Sequence, residues 1–130
     1  MADSFIVTSP VDGTPFVERR YNTAVEVVRA VEAATAAAPA WAATPLDERI
    51  ALLSKAVDAV VAETDALALE LTRQMGRPIA YAPGEIRGFE ERARHMLAIA
   101  PAALGAVDPG EKPGFRRAIK RVPLGVVAVL

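Results

Sequence analysis

Apolar and polar positions follow three successive patterns along the chain. The first is short and extended: Phe5-Ile6-Val7-Thr8 and Pro15-Phe16-Val17-Glu18-Arg19 flank Pro10-Val11-Asp12-Gly13. Asp-Gly between two β-type runs predicts a hairpin. The second pattern is helical. Thr23 and Glu26 fit a capping box, in which each side chain satisfies the other residue's backbone N–H. Val25, Val28, Val31 and Thr35 then share a face, and Pro39 is expected to end that helix. Thr44-Pro45 opens the next, with Leu46, Ile50, Leu53, Val57 and Val61 as its stripe. Thr64-Asp65 reads as a fresh N-cap, Leu67, Leu71 and Met75 continue the stripe, and Gly76 followed by Arg77-Pro78 ends it. A last helix is predicted from about Gly84 to Gly105, with Ile86, Phe89, Ala93, Met96 and Ala100 on one face and Pro101 kinking or fraying its final turn.

The third pattern is a change of character. Asp108 to Gly114 is a loop, Phe115 to Val122 reads as a strand with a basic run, and Gly125-Val126-Val127-Ala128-Val129-Leu130 is apolar throughout. Periodicity alone does not separate a buried strand from a buried helix in such a run. The glycine, the preceding Pro123 and the three valines favour a strand covered on both faces. Such a strand needs sheet neighbours and a layer on each side, and the preceding helices supply one layer at most. The expectation is a chain that stops at the first strand of a larger α/β fold. The alternative is a C-terminal strand sandwiched between local helices and a subunit partner.

Composition narrows the chemistry. The 130 residues are 52% hydrophobic, and with a mean hydropathy of +0.24 they read as a folded chain. Fifteen Lys+Arg against sixteen Asp+Glu leave a net charge of −1, which speaks against capture of nucleic acid or an anionic membrane. Cysteine is absent, so this chain contains no disulfide, thiolate nucleophile or thiolate metal site. One histidine, His95, excludes a multi-histidine metal centre. The start lacks a basic signal region and no apolar stretch is long enough to span a bilayer, so the expected location is cytoplasmic.

The remaining candidates read as surface chemistry. His95 lies among Glu91, Arg92 and Arg94 with no Ser or Asp at relay spacing. Glu85, Glu90 and Glu91 share a helix without a His or Cys companion, which makes them ordinary surface charges; Glu85 could also face a helix N-terminus. Arg116-Arg117-Ala118-Ile119-Lys120-Arg121 has no interleaved aromatics and suits an edge strand that carries protective charge.

Taken in order, several short motifs resemble one family. They are Ser9-Pro10-Val11-Asp12-Gly13, an alanine-rich helix closing in Pro39-Ala40-Trp41, and Glu48-Arg49. Glu70-Leu71-Thr72 follows with Gly76-Arg77-Pro78, then Gly84-Glu85-Ile86 and Arg121-Val122-Pro123-Leu124-Gly125-Val126-Val127. Together they are similar to the N-terminal portion of the aldehyde dehydrogenase superfamily. The resemblance implies an α/β parent fold, Rossmann-like in its cofactor domain, of which this chain is the mostly helical start. Residues 1–20 would be an extended arm or hairpin and 21–106 a helical part of the cofactor-binding domain. Residues 107–122 would be a loop with an oligomerisation-arm strand, and 123–130 the first strand of the dinucleotide-binding core.

The resemblance also implies NAD- or NADP-dependent oxidation of an aldehyde to a carboxylic acid through a cysteine thiohemiacetal and thioester. The family's nucleophile, general base and oxyanion-hole asparagine have no counterpart here, so no catalytic and no metal residue is assigned. Leu130 matches a position where the family's backbone passes close to the dinucleotide. Gly88 and Phe89 lie on a helix resembling the one at the mouth of the substrate tunnel, although for Phe89 the expectation is plain core packing on the Ile86/Ala93 stripe. The parent would be a homo-oligomer, dimer or tetramer, with no nucleic-acid or membrane partner. Two functions follow: a dehydrogenase segment inactive by itself, or a stand-alone helical module that binds a full-length dehydrogenase subunit.

Overall fold

Hairpin chemistry in the first twenty residues produces the only sheet among the described residues, which in this computed structural model are 3–129. Strands β1 (Ser4–Thr8) and β2 (Pro15–Arg20) pair antiparallel, Phe5 opposite Arg19 and Val7 opposite Val17. The turn is held from within. Ser9, 2% exposed, donates its N–H to Thr14 O and accepts from Gly13 N–H, both at 2.8 Å. Asp12 Oδ1 accepts from the Thr14 amide at 3.0 Å and hydroxyl at 2.8 Å. Gly13 takes φ +74°, the left-handed region that glycine enters without steric cost.

Helix α1 (Ala24–Ala43) begins on the predicted capping box: Glu26 N–H donates to Thr23 Oγ1 at 3.2 Å, and Thr23 N–H donates to Glu26 Oε2 at 2.7 Å. Its end corrects the sequence reading, because the helix runs through Pro39 to Ala43. Proline there removes one N–H···O bond, and the flanking alanines add no side-chain crowding, so the turn on either side persists. Helices α2 (Leu46–Ala62) and α3 (Thr64–Met75) meet at Glu63, which takes φ −95°, ψ 19°. Thr64 is the first residue of α3 rather than its cap; its hydroxyl donates back to Val61 O, and no side chain caps the start. Gly76 closes α3 at φ +74°, as its position after Met75 predicts. Helix α4 (Pro83–Leu104) starts with Pro83 in its first turn and continues through Pro101.

Helices α2 and α3 both pack on α4, and this corner holds the core: Val57, Ala68, Ala82 and Ile86 are each 5% exposed or less. Arg94 spans the α2–α4 seam, donating to Asp58 at 2.7 Å and to Glu90 at 2.9 Å. The hairpin meets the end of α3, where a Cβ on Gly76 would lie 3.0 Å from Pro10 Cγ and Arg73 stacks 5.5 Å from the Phe16 ring centre. Helix α1 buries no residue, and Val25, Val27, Val28 and Val31 are exposed.

The C-terminal runs differ from the extended pairing that their pattern predicts. Phe115–Val122 makes only two isolated bridges, Lys112 with Phe115 and Val107 with Ile119. Residues 123–129 join no ladder; Val126–Val129 instead border a groove with Val27, Ala30, Val31 and Ala34 of α1. A strand needs a neighbour for its N–H and C=O groups, and the described residues offer none. The surface records the same lack. A folded monomer of this mass exposes about 6,600 Å² by surface scaling, whereas the chain exposes 10543 Å².

Candidate functional site

The sequence singles out Gly88 and Phe89, and both sit in the second turn of α4. Helical spacing turns Ile86 inward, 5% exposed, whereas Phe89 is 44% exposed. Phe89 is therefore not part of the closed core. Its ring borders three depressions at once. One, of about 300 Å³, lies between α3 and α4 over Leu67, Leu71, Met75 and Ile86. A second, of about 310 Å³, lies between α2 and α4 over Leu53, Val57 and Leu97. The third, of about 490 Å³, is lined by α4 alone: Glu85, Gly88, Phe89, Arg92, Ala93 and Met96. All three are apolar-walled and open.

Charge at this face is mostly paired. Glu85, in the first turn of α4, forms an ion pair with Arg77 of the preceding loop at 2.7 Å. That position suits a carboxylate because the helix N-terminus is electropositive. Hydrogen bonds from Arg94 to Asp58 and then to Glu90 raise the guanidinium's pKa further above its ordinary value. Away from the face, Glu26 is drawn down to about 2, first by the Arg20 hydrogen bond and then by the Thr23 amide and hydroxyl. His95 is exposed on α4 and joins no ion pair among the described residues.

The basic run has a local job that the sequence reading missed. Arg117 Nη2 donates to three carbonyls, Pro109 at 3.2 Å, Gly110 at 2.9 Å and Glu111 at 3.2 Å, and so staples the loop before it. The available signal was the Pro-Gly loop itself, whose carbonyls lack secondary-structure partners.

Nothing described here forms a dinucleotide cradle. The left-handed glycines Gly13, Gly76, Gly110, Gly114 and Gly125 lie in separate turns, and none joins a strand to a helix N-terminus as a phosphate-binding turn requires. Leu130, the proposed cofactor-side residue, lies outside the described residues. Among the described residues no group of three or more His, Cys, Asp or Glu could hold a metal, and no helix is long and apolar enough to cross a membrane.

Comparison with known proteins gives one consistent result. The profile of the aldehyde dehydrogenase family matches residues 1–130. Glutarate-semialdehyde dehydrogenase of Pseudomonas putida is 32% identical over 124 residues, covering 95% of this chain and 26% of the relative. Succinate-semialdehyde dehydrogenase [NADP(+)] of Escherichia coli is 29% identical over 124 residues, again 95% of this chain and 26% of the relative. The crystal structure of aldehyde dehydrogenase from Brucella melitensis biovar abortus superposes with a TM-score of 0.77 at 27% identity, covering 85% of this chain and 23% of that one. The chain thus spans about a quarter of the length of the curated relatives it matches. A family profile matched from first residue to last, and a helical arrangement shared with a solved family member, place this chain in the aldehyde dehydrogenase family.

Proposed function

We propose that this chain is the N-terminal segment of an oxidoreductase that converts an aldehyde to a carboxylic acid with NAD+ or NADP+, and that it is inactive by itself. One observation carries the reading: the apolar faces of α1 and α4 stay open, around Phe89 and along Val25–Val31, in a chain matching a quarter of its relatives' length. A layer with its faces uncovered is part of a fold. The sequence contains no cysteine, so the thiolate that the chemistry needs must come from other residues. The described residues likewise provide no phosphate cradle, and in this reading the dinucleotide is held by other residues of the parent. In this reading residues 21–106 are the helical part of the cofactor domain, and 115–122 an arm toward a second subunit. The second turn of α4, with Gly88 and Phe89, faces the substrate path. The relatives named for glutarate and succinate semialdehyde support a dicarboxylic-acid semialdehyde as the substrate class in this reading.

The test is complementation. The chain is co-expressed with the part of the Pseudomonas putida relative that the match leaves uncovered, and the pair is purified. The chain alone should form no reduced nicotinamide from any aldehyde, and the complex should form it from glutarate semialdehyde. Failure to form a complex, or a stable complex without activity, would contradict the reading. Capture of an intact dehydrogenase subunit in preference to the complementary part would favour a stand-alone interaction module.

A further inference from the structure

The open face of α4 carries a cation that joins no ion pair among the described residues. Arg92 lies one helical turn beyond Gly88 and Phe89, and it borders the same 490 Å³ groove. Its neighbours three and four positions away are Gly88, Phe89, His95 and Met96, none of them a carboxylate. Arg87 and Arg94 differ, because each has a glutamate at helical spacing, and Arg94 is bound to both Glu90 and Asp58. Arg92 joins no ion pair among the described residues. The other charged group at the groove, Glu85, is already held by Arg77 at 2.7 Å, and no other helix adds a charge to its wall. Gly88 keeps the place beside Arg92 empty: a Cβ there would meet nothing within 4 Å. The result is a slot with an apolar wall of Phe89, Ala93 and Met96 and a free guanidinium beside it.

A guanidinium offers paired N–H donors that match the two oxygens of a carboxylate, and no such match exists for a methyl terminus. We propose that Arg92 is a specificity-determining residue that selects aldehydes carrying a second, anionic carboxylate. The proposal rests on the reading that this face of α4 lies on the substrate path. The aldehyde carbon is the reacting end, and Arg92 holds the far end. Its contribution therefore falls on substrate capture and leaves the chemical step untouched.

The test uses the complemented complex with two substrates of equal chain length, 5-oxopentanoate and pentanal. Arg92→Gln should lower kcat/KM for 5-oxopentanoate by roughly tenfold to a hundredfold, the range of a charge-assisted hydrogen bond, mainly through KM. Pentanal turnover should change by less than about threefold, because it makes no such bond. Arg92→Lys should recover part of the loss, and Gly88→Leu, which fills the slot, should weaken both substrates. Calorimetric titration with glutarate supplies a readout apart from activity, and Arg92→Gln should weaken its binding by the same roughly tenfold to hundredfold factor. Equal losses for both aldehydes, or unchanged 5-oxopentanoate kinetics, would overturn the role of Arg92. A complex that binds glutarate through Arg92 yet oxidises neither aldehyde would overturn the dehydrogenase reading and leave that role standing.

Discussion

Two glycines with the same φ separate backbone strain from packing. Gly13 and Gly76 both adopt +74°, but a Cβ meets nothing near Gly13 and lies 3.0 Å from Pro10 Cγ at Gly76. Alanine at Gly13 should cost only the left-handed penalty, roughly 1–2 kcal/mol. Alanine at Gly76 adds a clash with the hairpin turn, so Gly76→Ala should destabilise more than Gly13→Ala. Urea unfolding of the two variants in the complex checks the order, and equal costs would refute the contact with Pro10. The capping box gives a pH prediction. Glu26 titrates near 2 when folded, below the ordinary carboxylate value of 4.5. Its contribution is therefore fully present above about 4.5 and is lost as pH falls toward 2. Glu26→Gln should flatten the acid side of the stability profile over that window. Thr23→Ala should cost about 1 kcal/mol near neutral pH and less in acid, because the Thr23 hydroxyl also donates to the Glu26 carboxylate that titrates there.

At the scale of elements, burial outweighs charge. Ile86 is 5% exposed at the meeting of α2, α3 and α4, so Ile86→Ala should cost about 2–5 kcal/mol. Arg94→Gln breaks two ion pairs, but their side chains are 32–62% exposed, so solvent screening should keep the loss well below that of Ile86→Ala. Chemical denaturation measured by helical circular dichroism ranks them, and a larger effect from Arg94→Gln would contradict the argument. The same contrast explains what the sequence made legible. The hairpin, the Thr23–Glu26 box, the Gly76 stop and the α2 and α3 stripes depend on contacts within a few residues, so local pattern predicted them. Pro39 was misread because a proline's cost is decided by its surroundings, which here are alanines. Phe115–Val122 joins no ladder among the described residues, because a strand is completed by a neighbour and local pattern cannot supply one. At the site, Gly88 and Phe89 came from resemblance. Arg92 was passed over as one charge in a charged helix; the missing carboxylate at its helical spacings was the available signal.

For the molecule as a whole, the central proposal is that residues 3–129 form a layer of the aldehyde dehydrogenase fold whose apolar faces are completed by other residues. The open faces around Phe89, Met96 and the α1 valines should bind a hydrophobic dye and drive self-association. The most direct measurement is ANS fluorescence of the purified chain, titrated with the complementary part of the Pseudomonas putida relative. The account predicts strong fluorescence from the chain alone, falling to a low plateau at one equivalent as the faces are covered. A chain that is dark to ANS by itself, and unfolds in a sharp transition independent of concentration, would contradict it.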